Sequence, residues 1–171
     1  MTAFNTAYLS LGGNIGDKIG FLDKAMELIS NSNHTRILKK SGFYQTQPWG
    51  FEDENHFINS VISIETSCSP KELLSFLQNI EHQLGRKEKQ NKGYHAREID
   101  IDILFYENEI INTDDLIIPH PHISNRRFVL APLQEVTPHF FHPLLHVTVE
   151  QLYTQCTDTC QVIKINEEQI H

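Results

Sequence analysis

From Glu98 to Phe105 the chain reads EIDIDILF, acids and isoleucines in strict alternation. A period of two is what an extended strand converts into two distinct faces. Ile99, Ile101, Ile103 and Phe105 are expected to face a core, and Glu98, Asp100, Asp102 and Leu104 to face the other way. The chain must therefore build a sheet with one dry face and one polar face, as antiparallel sheets commonly do. The Cα atoms of Asp100 and Asp102 would stand about 7 Å apart on the polar face. Two carboxylates about 5 Å apart repel by roughly 3 kcal/mol at an effective dielectric of 20. Such a pair needs open water or a cation, and hard Mg²⁺ suits two carboxylates completed by phosphate oxygens. Taken alone, D-x-D fits a solvated sheet face better than a metal site.

The rest of the chain supplies partners for that strand. TAYLSLGG reads as a strand ending in a glycine turn. It is followed by a helix with Leu22, Ala25, Met26 and Ile29 on one stripe. ILKKSGFYQT and HFINSVISIET are strand-like, the second with Phe57, Asn59, Val61 and Ser63 on one face. SPKELLSFLQNIEHQLGR is the clearest helix. Ser69 and Glu72 form a capping box, Pro70 suits the first helical position, and Gly85 suits the end. Its stripe is Leu73, Leu77, Ile80 and Leu84, with Gln78 and Glu81 at the edge. EIINTDDLIIPHP suggests a hairpin, NRRFVLAPLQEV a short helix limited by Pro132, Thr148 and Gln151 a second capping box, and QVIKI a last strand. The order is βαββαβ with C-terminal additions, an α+β ferredoxin-like sandwich with helices on one face of an antiparallel sheet.

Length and composition agree with one domain over residues 1–171, with 39% apolar residues. No apolar run approaches a membrane span, and MTAFNTAYLS lacks the parts of a signal peptide, so a cytoplasmic monomer without membrane contact is expected. Cys68, Cys156 and Cys160 are odd in number and lack zinc spacing, so free thiols in a reducing compartment are expected. The formal charge of −8 argues against nucleic acid as partner.

Arg86, Lys87, Lys89, Lys92 and Arg97 crowd just before the acidic strand. They form either a solvated surface loop or one side of a polyanion site whose other side is metal on Asp100 and Asp102. A nucleoside triphosphate with Mg²⁺ fits the second description. Gly12, Gly13 and Gly16 lie between strand and helix but match neither phosphate-loop spacing, so they read as a tight turn. His120 lies near Arg126 and suits donation to phosphate, whereas His139, His142 and His146 read as scattered surface histidines.

FYQTQPWG, FINSVISIET, QNIEHQLGR, REIDIDILFY and IIPHPHISNRRFVLAPL, in that order, closely resemble the 2-amino-4-hydroxy-6-hydroxymethyldihydropteridine pyrophosphokinase family of folate biosynthesis. The likeness runs from about Tyr8 to Val136. It implies transfer of pyrophosphate from ATP to 6-hydroxymethyl-7,8-dihydropterin, giving AMP and the pterin diphosphate. By the same resemblance, Asp100 and Asp102 would bind two Mg²⁺ ions, and Arg86 and Arg97 would stabilise charge on the moving group. Gln78, Glu81, Ile103, His120 and Arg126 would line the ATP side with those arginines. Thr46, Pro48, Trp49, Phe57, Asn59 and Phe128 would shape the pterin pocket. Stacking between Phe57 and Phe128 suits a flat pterin, although without the resemblance both residues read better as core phenylalanines. The segments TQPWGFEDEN and GRKEKQNKGYHA are long polar connections suited to closing over substrate, with Trp49 and Tyr94 either as their anchors or as surface aromatics.

The chain departs from the family at Glu88, where a second loop arginine is frequent, and its loop is one residue longer than in some relatives. It departs again at Gln47, Trp49, Pro121 and Asp115. These bear on loop dynamics and nucleotide affinity rather than on the reaction. The competing expectation is a ferredoxin-like module that binds a nucleotide or anion without turnover.

Overall fold

The structure is a computed structural model, and it describes residues 3–46, 56–85 and 99–166. The first strand, β1 (Asn5–Gly13), carries Ala7, Leu9 and Leu11 into a core and runs through Gly12 and Gly13 before the turn. Helix α1 (Lys18–Ser30) buries Leu22, Ala25, Met26 and Ile29, the four residues of the expected stripe. Strands β2 (Thr35–Lys40) and β3 (Tyr44–Thr46) both pair with β4 (Phe57–Thr66). Between them Ser41 bridges the break, donating its N–H to the Val61 carbonyl (2.8 Å) and accepting the Val61 N–H on Oγ (2.9 Å).

Helix α2 (Pro70–Gln83) starts as its sequence dictates. Ser69 Oγ accepts from Glu72 N (3.2 Å), and Glu72 Oε1 accepts from Ser69 N (3.0 Å). Gly85 follows with φ 102°, the left-handed conformation that ends helices and favours glycine. Strand β5 (Asp100–Tyr106) comes next, then the small hairpin β6 (Ile111–Asn112) and β7 (Ile117–Ile118). Helix α3 (Arg127–Val136), helix α4 (Val149–Gln155) and strand β8 (Val162–Lys164) complete the order. The Thr148–Gln151 capping box is present at α4.

The large sheet runs β5-β1-β4-β3-β8 with β2 also on β4, and every pairing is antiparallel. The βαββαβ core is the expected ferredoxin-like one. One face packs on α1 and α2, where Leu9, Leu11, Ile62, Ile64, Ile101 and Ile103 meet Leu22, Ile29, Leu73 and Leu77. The expectation of helices on a single face needs correction. Val61, Leu104 and Phe105 pack with Val129, Leu130, Leu133, Val149 and Leu152, so α3 and α4 cover part of the opposite face. Among the described residues, no helix is long and apolar enough to cross a membrane.

Two further expectations fail for stated reasons. Phe105 does not share a face with Ile103. The β1–β5 register shifts between Tyr8 and Leu9, so Tyr8 pairs with Phe105 while Leu9 pairs with Ile103. Leu104 is the extra residue of a bulge, and a bulge inverts the alternation beyond it. Leu104 and Phe105 therefore both join the α3/α4 core, while Tyr106 returns to the α1/α2 side. Pro132 does not limit α3, which continues four residues past it to Val136. Proline removes the bond that the Phe128 carbonyl would accept, at a cost of about 3 kcal/mol in a helix interior. Burial of Leu130, Leu133 and Val136 on the sheet offsets that loss.

Candidate active site

The site is built where three strands carry polar groups on one face. Gly12 of β1 pairs with Asn59 of β4 on one side and with Asp100 of β5 on the other. Ser10 pairs in the same way with Val61 and Asp102. Because side chains alternate, Asp100, Asp102, Asn59 and Phe57 share the face that α3 and α4 leave partly open. Asp100 and Asn59 stand two strand spacings apart, about 10 Å between Cα atoms. Thr46 is the register partner of Phe57 and Tyr44 that of Asn59, so the row extends onto β3.

Gly12 is required by this row. A Cβ there would lie 2.3 Å from Asn59 Oδ1. The Asn59 side chain therefore lies over the bare Gly12 backbone. Its Nδ2 is buried and has no hydrogen-bond partner among the described residues. A buried orphan donor costs on the order of 1–3 kcal/mol, so it marks a place for an acceptor. The sequence reading assigns Gly12 to a turn, although a glycine inside a strand is a signal of close approach.

On the outer side of β5 lies a cavity of about 250 Å³. Leu74, Ile101, Ile103 and Leu116 give it apolar walls, and Asp102, Asp114, Asp115 and His120 supply polar groups. Glu81 on α2 is buried and accepts the Ile101 N–H (2.8 Å), which ties the edge of β5 to the helix. His120 Nδ1 accepts the His122 N–H (3.2 Å), so Nε2 is the protonated nitrogen of the neutral ring. Burial first, then Arg126 and His122, push its pKa down to about 4 against the opposing pull of Asp100.

The expected site residues fall into three groups. Ile103, His120 and Asp102 meet at the cavity, with Glu81 behind its wall, while Gln78 is exposed on α2 and does not line it. Asn59 and Phe57 sit in the row just described. Thr46 is buried at the end of β3, with Oγ1 3.1 Å from Cys160 Sγ. Arg126 and Phe128 are half-buried at the start of α3, with the guanidinium 5.8 Å from the ring centroid. Pro48, Trp49, Arg86 and Arg97 lie outside the described residues.

Of the three glycines expected to form a tight turn, Gly12 and Gly13 instead belong to β1 and only Gly16 lies in the turn. Gly16 has φ 69°, and Asp17 Oδ1 accepts the Gly20 N–H (3.1 Å), so the start of α1 already holds its own carboxylate. The histidine expectation needs one correction. His142 is buried, and its Nδ1 accepts from the N–H groups of Leu144 (3.1 Å) and Leu145 (3.0 Å), closing a tight turn. Burial, helped by His146, lowers its pKa. Among the described residues no cluster of three or more His, Cys, Asp or Glu side chains could hold a metal ion.

Known proteins share this architecture. The family model described as 7,8-dihydro-6-hydroxymethylpterin-pyrophosphokinase matches residues 8–138. The 2-amino-4-hydroxy-6-hydroxymethyldihydropteridine pyrophosphokinase of Aquifex aeolicus is 38% identical over 162 residues, covering 94% of this chain and 99% of its own. The protein of the same name from Bacillus subtilis is 43% identical over 132 residues, covering 77% of this chain and 78% of its own. The solved HPPK-DHPS of Plasmodium falciparum shares the fold with a TM-score of 0.73 at 17% identity, over 90% of this chain. This chain spans only 43% of that larger one. Fold and family match together define a transferase of the kinase class. The chain belongs to the 7,8-dihydro-6-hydroxymethylpterin-pyrophosphokinase family of folate biosynthesis.

The buried imidazole sets a pH expectation for the protein without ligands. Between the folded pKa of about 4 and the unfolded value near 6.5, the unfolded chain binds the proton and the folded one does not. His120 therefore lowers stability as pH falls through that window and is neutral to stability above it. An NMR titration of the His120 ring should show no midpoint above pH 5. A midpoint near 6.5 would contradict its burial beside Arg126.

Proposed function

We propose that this protein is Mg²⁺-dependent and moves the β- and γ-phosphoryl groups of ATP, as one unit, onto the hydroxymethyl oxygen of 6-hydroxymethyl-7,8-dihydropterin. The hydroxyl oxygen attacks the β-phosphorus, the Pα–O–Pβ bridge breaks with its electrons on AMP, and the hydroxyl proton leaves to water. The products are AMP and the pterin diphosphate. The observation that carries this reading is the buried Nδ2 of Asn59, without a partner among the described residues and on a side chain held over Gly12 in the same row as Asp100. It suits the carbonyl of a flat heterocycle whose side arm reaches toward β5.

Asp100 and Asp102 fit Mg²⁺ as a donor set. They are hard oxygen ligands, both half-buried, placed i and i+2 on one face of an edge strand beside a nucleotide-accepting cavity. When bound, two such ions would neutralise the triphosphate and polarise the β-phosphorus. The chain's own residues do the rest. The apolar cavity walls take the base, and His120 offers a neutral Nε2–H donor to phosphate. Arg126 supplies a fixed positive charge at the start of α3. Thr46, Phe57 and Phe128 enclose the pterin, and by the family resemblance Pro48 and Trp49 would join them. Glu81 supports the cavity wall from behind through the Ile101 N–H, and Gln78, outside the lining, would reach the nucleotide only beyond the cavity mouth. Arg86, directly after Gly85, and Arg97, three residues before Asp100, would bring guanidinium forks to the phosphates. Charge stabilisation and alignment suffice for this chemistry, so no covalent nucleophile is required.

Two measurements check the proposal. Protein mixed with Mg·ATP and hydroxymethyl-dihydropterin should release AMP, and chelation of Mg²⁺ should stop it; release of ADP, or nucleotide binding without turnover, would contradict it. Gly12→Ala should displace the Asn59 amide and raise the KM for pterin by a factor of about 10–100, the worth of one buried hydrogen bond left unmade. The KM for ATP should stay within about twofold, since the loss is confined to the pterin row. Equal changes in both constants would show that Gly12 serves the sheet as a whole.

A further inference from the structure

Helix α3 carries Arg126 and Phe128 at its first turn, yet it has no cap of its own, for the Arg126 side chain makes no capping bond. The cap comes from 31 residues further along. Asp158 Oδ2 accepts the Arg127 N–H at 3.0 Å. The Arg127 side chain then turns back on the same segment. Its Nε donates to the Asp158 carbonyl (2.9 Å) and its Nη2 to the Cys156 carbonyl (3.0 Å). The guanidinium lies 5.3 Å from the Tyr153 ring centroid, on α4. The other Asp158 oxygen, Oδ1, accepts the Cys160 N–H (2.9 Å). Cys160 Sγ in turn meets Thr46 Oγ1 at 3.1 Å.

These bonds form one unbroken chain from Phe128, next to Arg127, through Asp158 and Cys160 to Thr46. From the reading of Thr46 and Phe128 as walls of the pterin pocket, we infer that Arg127 and Asp158 are a positioning pair that fixes the spacing of those two walls. Neither residue touches substrate. Each acts through a backbone that it clamps. The arrangement is specific in a way that bulk packing is not. Asp158 uses its two oxygens on two different N–H groups, that of Arg127 on α3 and that of Cys160 beside Thr46, so the carboxylate sets their separation. Arg127 uses its planar fork on two carbonyls, which a single ammonium does not reproduce.

The lining of the nucleotide cavity shares none of these bonds, and of this helix end only the Arg126 side chain is assigned to the nucleotide, so the clasp should bear on pterin far more than on ATP. A sub-ångström change in wall spacing falls on pterin binding and alignment, where misplacement of about 1 Å costs up to about 10²-fold.

The test compares wild type, Asp158→Asn, Arg127→Lys and the double variant by steady-state kinetics and thermal melting. Asp158→Asn keeps the shape but points an NH₂ group at one of the two N–H donors. We expect the KM for pterin to rise about tenfold, with the KM for ATP unchanged within about twofold. Arg127→Lys should move the same constant in the same direction. The double variant should be no worse than the poorer single one, because both break one chain. Should Asp158→Asn fail to fold, Arg127→Lys alone decides the matter by the same two constants. A lower melting temperature with both KM values at wild-type level would overturn the inference and leave the clasp structural. Parallel rises in both KM values would overturn it too. Wild-type protein that releases no AMP would instead contradict the pyrophosphokinase reading itself, so the two failures are distinguishable.

Discussion

The register of β1 between β4 and β5 is the constraint on which everything else depends. With Gly12 opposite both Asn59 and Asp100, a polar row crosses three strands on one face, while Leu11 and Ile101 pair into the core behind it. A slip of one residue on either side would send the carboxylates into the α1/α2 core and the isoleucines to solvent. The hydrophobic pattern forbids that slip: Ile99, Ile101 and Ile103 are almost fully buried in the same cluster as Leu73 and Leu77. The energy that fixes the site is thus spent on the opposite side of the sheet. Glu81 adds a local lock, since it satisfies the Ile101 N–H that an edge strand would otherwise expose.

The second layer has a different task. Helix α3 brings Arg126 and Phe128 over the polar face, and it must be held there without closing it. A hub on Glu135 anchors its far end. That carboxylate accepts from Gly42 N (3.0 Å), Lys164 Nζ (3.0 Å) and the Tyr44 hydroxyl, joining α3 to β3 and β8 at once. Burial raises the Glu135 pKa, but the hydrogen bonds from Tyr44, Lys164 and Gly42 outweigh it and keep the group ionised. Burial and that same carboxylate push the Tyr44 phenol above its usual range, so it stays a donor. With the near end of α3 clasped through Asp158, the helix is fixed at both ends, and Pro132 in its middle is tolerated.

What the sequence revealed was local. Both capping boxes, the α1 stripe, the glycine ending α2 and the two-faced acidic strand are signals that act within a few residues. Their outcomes follow from backbone geometry alone. What escaped was non-local. The Leu104 bulge reverses Phe105 because β1 and the α3/α4 core demand it, not because of anything in LFY. His142 is buried because a turn needs its nitrogen. The second helical layer exists because Tyr8, Val61 and Leu104 leave an apolar patch on the polar face, one that a strict alternation count does not isolate. At the site, the acids and Asn59 were legible as residue types. Their common row was not, since it depends on two registers meeting at Gly12.

The most direct test of that row is a crystal structure of the protein with Mn²⁺, a non-hydrolysable ATP analogue and the pterin. Anomalous density is expected bonded to carboxylate oxygens of both Asp100 and Asp102. The pterin ring is expected on the same face, with a carbonyl accepting from Asn59 Nδ2. Ions bound away from those two carboxylates, or a pterin seated anywhere but against Asn59, would contradict that shared row.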